Sequence, residues 1–161
     1  MVLIGLLGLQ AAAGWTPPAQ AAWSGDRPPI EVHLQAHPVS MRGKAEIDVD
    51  LVATGDGFAV SPFLQPTRGV AFEVTTLAGT PVSSAEPMIG SPPPPPLTPD
   101  QLIPVARAKT YHVVTAERAS TIFPGPGSYK VRAHLRFFDF PSDPVHYASV
   151  VSDEITVDVG K

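Results

Sequence analysis

The 161-residue chain contains no cysteine. Disulfide bonds, thiolate metal sites, a cysteine nucleophile and an acylated N-terminal cysteine are therefore excluded. Charge is also sparse: 16% of the residues are charged, the net charge is −4, and lysine and arginine form no run. Because binding to nucleic acid needs a basic surface that displaces counterions, we expect no nucleic-acid partner.

The motifs of common enzymes are missing as well. The sequence has no Gly-x-Ser-x-Gly nucleophile motif and no glycine-rich phosphate-binding loop. Its five histidines form neither a His-x-His nor a His-Glu-x-x-His pattern, so we predict surface histidines, no metal site and no cofactor. These absences predict that the protein is not an enzyme.

Proline and apolar residues are abundant instead. Hydrophobic residues make up 43% of the chain, a composition that folds, and the length suits one domain. The 20 prolines are more than twice the average share of about 5%. Since proline interrupts helices, strands joined by proline-rich loops are favoured, and Pro92–Pro96 predicts a stiff polyproline II segment.

The first residues are typical of an export signal. No charged residue occurs in Met1–Ala22, Val2–Leu9 is apolar, and Ala19 and Ala21 place small residues where a signal peptidase cuts. We therefore predict a signal peptide at 1–21 and a periplasmic or secreted protein, although the usual basic residue near the start is missing. An uncleaved anchor or a misassigned start is the alternative interpretation.

The rest of the chain is expected to form one folded unit. Residues 22–29 are small and polar and end in two prolines, which predicts a linker, and residues 30–161 are predicted to be a single domain. The apolar run at the start is too short to cross a membrane. No membrane span is therefore expected after cleavage.

Alternation of apolar and polar residues predicts the secondary structure. In the clearest run Ala45, Ile47, Val49 and Leu51 alternate with acidic residues, the period of a half-buried strand. Six or seven such runs with turn residues between them, and no helical stretch, predict an all-β antiparallel sandwich of about seven strands. The runs are centred near Leu34, Val49, Phe72, Val113, Ala133 and Val157.

Two segments near the C-terminus resemble a known class of domain. The stretch Pro126–Ala133 followed by Ser152–Val157 is similar to the last two strands of immunoglobulin-like domains in exported bacterial proteins. Together with Gly69–Val74 it resembles accessory and propeptide-like sandwiches that accompany secreted enzymes. The cysteine pair of antibody domains is absent. The resemblance implies an immunoglobulin-like fold, which hosts many functions.

An aromatic loop is the candidate binding surface. Phe138, Phe140, His146 and Tyr147 surround a predicted hairpin loop, and alternation from Phe137 predicts that Phe138 points outward. Exposed aromatic loops on a rigid scaffold bind partners well, because aromatics give a large contact area at low entropic cost. We therefore predict a protein-interaction or accessory module whose partner is another exported protein. The alternative is that these rings cover the open end of the sandwich.

Other functions stay open at this point. A small-ligand or metal-ion carrier would use His134, His112 or the loop carboxylates of Asp139, Asp143 and Asp153. A hydrolase of unfamiliar design is a third hypothesis. The oligomeric state is not determined by the sequence, although edge strands allow dimers to form.

The sequence also contains two rows of charged residues, one acidic and one basic. Glu46, Asp48 and Asp50 share one strand face, and a basic row on another strand contains Lys130, Arg132 and Arg136. If the two strands are neighbours, these rows pair across the sheet; if they are not, each row is a solvated outer face.

Overall fold

The computed structural model describes residues 21–22, 28–66, 69–84, 99–138 and 147–161. For residues 21–22, 65–66, 99, 136–138 and 147–148 it describes the backbone only. The strands are β1 (Ala21–Ala22), β2 (Ile30–Ala36), β3 (Val39–Ser40), β4 (Lys44–Ala53), β5 (Phe58–Val60), β6 (Gln65–Pro66), β7 (Gly69–Thr76), β8 (Ile103–Val105), β9 (Thr110–Arg118), β10 (Gly127–Phe138), β11 (Tyr147–Val151) and β12 (Ile155–Gly160). One helical turn, α1 (Ala119–Ile122), and a 3₁₀ turn, Pro99–Gln101, complete the described elements.

The expected all-β class is confirmed. Among the described residues the strands form three sheets, with the orders β2-β4-β9, β3-β12-β10-β7-β6 and β1-β5-β8. Strand β11 also pairs with β10, beyond the end of β12. The pairs are antiparallel except for β12 with β3 and β6 with β7, which are parallel.

The alternation of the sequence decides which side of each strand is buried. In β4 the alternate residues are buried and the residues between them are exposed or half-buried; the buried ones are Ala45, Ile47, Val49, Leu51 and Ala53. The turn after β4 ends at Gly57, whose φ of 78° is a left-handed conformation that favours glycine. A strand with one apolar side must bury it against another layer.

The sheets bury their apolar sides in two clusters. The first cluster takes Leu51 from β4 and Leu135 from β10, and also Phe58 from the small sheet. The second cluster contains Ile47, with Phe123 and Tyr129, whose ring centroids are 5.3 Å apart. Each large side chain that is fully buried contributes about 1.5–3 kcal/mol. The sheets are thus held together by shared cores.

The strand that follows β10 changes register partway along. Val151 lies opposite His134, whereas Ile155 lies opposite Val131, so three residues of this strand, 152–154, face two of β10. This is a β-bulge. The Ser152 side chain replaces a main-chain acceptor, since its Oγ accepts the Ala133 N–H at 2.8 Å and donates to the Asp153 carbonyl oxygen at 2.7 Å.

Two other local features shape the fold. After β2 the chain turns at His37 and Pro38, and β3 then pairs with β12 of the other sheet. Near the start of β10 the Tyr129 hydroxyl donates to the Gly125 carbonyl oxygen at 3.0 Å.

The predicted linker touches the domain at both ends. Ala22 lies opposite Ala59, and the Pro29 carbonyl oxygen accepts the Thr54 N–H at 2.8 Å. The domain boundaries stay a prediction. No helix in the described part of the chain is long and apolar enough to cross a membrane.

Candidate functional site

The predicted aromatic surface lies at the end of the β10–β11 hairpin. Phe138 is the last residue of β10 and lies opposite Tyr147, the first residue of β11. The backbone of these two residues is described, and Phe140 and His146 lie outside the described residues. The register therefore joins both ends of the aromatic loop, and the outward direction of the rings stays a prediction.

Four of the five histidines are described, and each contacts a carboxylate. The nitrogen–oxygen distances are 2.8 Å for His33 Nδ1–Asp153 Oδ2, 2.9 Å for His37 Nε2–Asp48 Oδ2, 2.7 Å for His112 Nδ1–Asp50 Oδ1 and 2.6 Å for His134 Nε2–Glu73 Oε2. His33 Nε2 also lies 3.5 Å from Glu31 Oε2. The pairs are exposed or half-buried on the outer faces of the sheets.

These histidines do not converge on one site. His112 is on β9, and His134 is on β10 of the other large sheet. Within the described residues no group of three or more histidine and carboxylate side chains could hold a metal ion. Of the proposed loop carboxylates Asp153 contacts His33, whereas Asp139 and Asp143 lie outside the described residues.

The acidic and basic rows belong to different sheets. Strand β4 pairs with β2 and β9, so Asp48 and Asp50 face histidines rather than the basic row. On the other sheet Lys130 Nζ and an Arg132 nitrogen lie 3.1 Å and 2.9 Å from the Glu154 carboxylate oxygens. The hydrogen bond from Lys130 is the main cause that lowers the pKa of Glu154. The two rows thus lie on strands that are not neighbours, and separate partners contact Asp48, Asp50, Lys130 and Arg132.

Two more groups have altered acidity. The hydrogen bond to Asp48 raises the pKa of His37 above its ordinary value of 6.5, and the negative charge of Asp48 adds to this effect. Burial raises the pKa of Tyr111, which lies half-buried on β9.

The outer edge of β9 was not predicted from the sequence, and its geometry follows from bonds at both ends of the β4–β9 pair. The Ala53 N–H donates to the Lys109 carbonyl oxygen at 3.0 Å, and the Ala119 N–H donates to the Gly43 carbonyl oxygen at 3.1 Å. The register between them is unbroken. Because bonding pairs alternate, the odd-numbered residues of β9 direct their main-chain groups to β4. The even-numbered residues direct their main-chain N–H and C=O groups to the side of β9 that faces away from β4.

We call this outward row of main-chain groups the β9 edge. It belongs to Thr110, His112, Val114, Ala116 and Arg118. Across the described ranges no strand is hydrogen-bonded to β9 on this side. Among these main-chain groups, the Arg118 carbonyl oxygen accepts a local hydrogen bond from the Thr121 hydroxyl at 2.5 Å.

The side chains along the β9 edge give it an apolar centre. Val114, the middle residue of the strand, has 66% of its surface exposed and is flanked on the same face by His112 and Ala116. Neither proline nor lysine occurs in β9, and these are residues that commonly protect edges. Sequence reasoning missed this edge because alternation identifies a strand without saying which strands are its neighbours.

The molecule can therefore be classed by its architecture as an all-β protein with multiple, mostly antiparallel, sheets. Comparisons with protein families, with curated proteins and with solved structures found no match. Its function must be argued from its own surfaces.

Proposed function

We propose that the chain is a non-enzymatic protein-interaction module, exported to the periplasm or the cell exterior, with an immunoglobulin-like sandwich as its scaffold. The partner would be another exported protein. The binding surface would be the β10–β11 connection with Phe138, Phe140, His146 and Tyr147. The single observation that carries the proposal is the pairing of Phe138 with Tyr147 at the end of the hairpin.

Two features support an immunoglobulin-like sandwich. The chain passes from one sheet to the other between β2 and β3, which pair with β4 and β12 respectively, as a two-sheet sandwich allows. The second feature is the bond from the Tyr129 hydroxyl to the Gly125 carbonyl oxygen. A tyrosine near the start of a strand, whose hydroxyl bonds to main chain a few residues upstream at the preceding corner, is a hallmark of immunoglobulin-like folds.

The hairpin offers a rigid base for a binding loop. Strand β10 lies in the middle of its sheet, with β7 on one side and β11 and β12 on the other. Its inward residues Val131, Ala133 and Leu135 have no exposed surface. Binding loops commonly project from rigid scaffolds of this kind, and aromatic residues lose little entropy when they bind.

The arrangement of titratable groups supports a binding role over catalysis. The four described histidine–carboxylate pairs lie on the outer sides of two different sheets, where water screens them. Such pairs stabilise neighbouring strands weakly and enclose no substrate. The alternative of a small-ligand or metal carrier gains no support from His112 and His134, because they lie on separate sheets.

Affinity capture tests this function. The tagged chain is incubated with the exported fraction of its source organism, and bound proteins are identified by mass spectrometry. The double variant Phe138→Ala/Phe140→Ala is the loop test. Leu77→Ala is the matched control, because Leu77 is 55% exposed in the turn after β7, away from the hairpin.

We expect one protein to be enriched by the wild type and by the control, and lost with the double variant. No such protein, or one that the double variant still captures, contradicts the proposal. A sharp fall in the unfolding temperature of the double variant also contradicts it, because the rings would then belong to the core.

A further inference from the structure

We propose that two copies of this chain associate through their β9 edges, as antiparallel strands related by a two-fold axis at Val114. The pairing would join the two β2-β4-β9 sheets into one continuous sheet. It is independent of the β10–β11 loop and of any partner that this loop binds.

The main-chain groups of β9 suit such a pairing. In an antiparallel ladder the residues that exchange bonds alternate with residues that do not. An axis at Val114 places it opposite the partner's Val114 and places His112 opposite the partner's Ala116. All of these residues direct their N–H and C=O groups outward. The symmetric register therefore satisfies the open row without a shift of either strand.

The exposed side chains also match in this register. Val114 has the largest exposed fraction among the exposed large apolar residues that the structure describes. Pairing would cover it with the Val114 of the second copy. The larger His112 would face the small Ala116 of the partner subunit, so neither crowds the other. Two β-branched residues in a direct cross-strand pair stabilise a ladder.

A charged side chain on the inward face of β9 could oppose the pairing, but the same register gives it a partner. Glu117 lies half-buried on the inward side, and an inward charge can protect an edge from pairing. With the axis at Val114, this carboxylate lies opposite the partner's Tyr111. The Tyr111 hydroxyl is protonated at neutral pH, because the ordinary pKa of tyrosine is 10.0 and burial raises the pKa of Tyr111 further. It can therefore donate to Glu117 of the partner subunit.

A second copy is the occupant that the observations favour. The strand is regular over nine residues, carries no bulge against β4, and has its outward residue at its centre. With the axis at Val114 all nine residues of each β9 strand lie within the ladder, and the strand is its own complement at Val114, at His112 with Ala116, and at Tyr111 with Glu117. An unrelated extended peptide need not have this self-complementarity. The contact is one strand long, so we expect a weak dimer that forms over about 1–300 μM.

Sedimentation velocity of the full chain over that concentration range tests the pairing. The variant Val114→Lys places two like charges opposite each other and should raise the dissociation constant of the dimer about tenfold or more. Val151→Lys is the matched control, because Val151 is a 47% exposed valine on β11 of the other large sheet. It should leave the dimer unchanged.

A third variant separates main-chain pairing from contact between side chains. Val114→Pro keeps an apolar side chain but removes an N–H group that bonds nothing on β4, a position where an edge strand accepts proline. We expect it to weaken the dimer as strongly as Val114→Lys, with circular dichroism confirming that each variant is folded. If one variant misfolds, the other still decides.

A wild type that stays monomeric over the whole range overturns the proposal, whether or not another protein occupies the edge. So does a dimer that both Val114 variants leave intact. A dimer lost equally with Val151→Lys also overturns it, because the association would then be non-specific.

Discussion

The β2-β4-β9 sheet has two edges, and the molecule treats them differently. On the β2 edge the Val32 carbonyl oxygen accepts the Asp153 N–H at 3.2 Å, and the Ile30 N–H donates to the Pro28 carbonyl oxygen at 2.9 Å. The chain then leaves this sheet and joins the other at β3. Strand β9 continues for nine residues, and among the described residues no strand is hydrogen-bonded to its outer edge.

The β2 edge is covered without a further strand. The bulge at 152–154 sets one N–H of the larger sheet toward β2, and His33 adds a side-chain contact to Asp153. A bulge interrupts a ladder, and here the Ser152 hydroxyl restores the lost contacts. An edge that lacks such a device is available to a partner.

The largest effect is expected when proline is placed at an odd-numbered rather than an even-numbered position of β9. Val113→Pro removes an N–H that faces β4 and disturbs a buried side chain. It should lower the free energy of unfolding by at least about 2 kcal/mol. Val114→Pro removes an outward N–H and should cost about 1 kcal/mol or less. Urea unfolding at low protein concentration measures both, and equal losses would contradict the assignment of odd and even positions.

The next largest effect concerns the bulge beside the β2 edge. Ser152→Ala removes the acceptor of the Ala133 N–H, which is buried. Because an unpaired buried donor keeps its full desolvation penalty, we expect a loss of about 1–3 kcal/mol in urea unfolding. Ser149→Ala, at an exposed position on β11, is the control and should change little. A Ser152 variant as stable as the control would show that the bulge does not depend on this hydroxyl.

A smaller effect tests how firmly β9 is held from within. The buried Thr115 hydroxyl donates to the Ile47 carbonyl oxygen at 2.5 Å and lies 3.3 Å from the Ile47 nitrogen. Thr115→Val keeps the shape and removes this bond, so stability should fall by about 1 kcal/mol. The same change at the exposed Thr156 serves as the reference. A Thr115 variant that gains stability would mean that packing outweighs the bond.

The smallest effect concerns pH at the end of the β2 edge. Since His37 has a raised pKa in the folded chain, its contribution to stability is fully present below pH 6.5 and is lost as pH rises through the folded pKa. Thermal unfolding should therefore show a slight gain on going from pH 8 to pH 6 that Asp48→Asn removes. NMR titration should also show a lower His37 pKa in this variant. An unchanged pKa would contradict the role of Asp48.

The positions of the long strands could be predicted from the sequence, whereas the strands that pair with each other could not. Alternation is strong in β4, β9 and β10, because each buries one side over many residues. The three residues of β5 and of β8 are too few to show a period, and α1 is a single turn. Strand β11 escaped notice because the bulge at 152–154 shifts its register by one residue relative to β12.

The candidate surfaces were harder to predict for a physical reason. Which strand lies at an edge depends on contacts between residues far apart in sequence, and Val114 is an ordinary alternating residue until β9 is known to be an edge strand. The pairing of Glu73 with His134 likewise depends on the β7–β10 register. The aromatic residues from Phe138 to Tyr147 could be recognised from composition alone, and their role stays a prediction.

Residue-resolved amide hydrogen exchange of the full chain tests the central difference between the two edges most directly. At low concentration we expect slow exchange for Val113 and Thr115 and fast exchange for His112, Val114 and Ala116. Raising the concentration should slow the fast set and leave the amides of β2 unchanged. Slow exchange of the even-numbered amides at every concentration would mean that the β9 edge is already covered within one molecule. Fast exchange at every concentration would mean that nothing pairs with it.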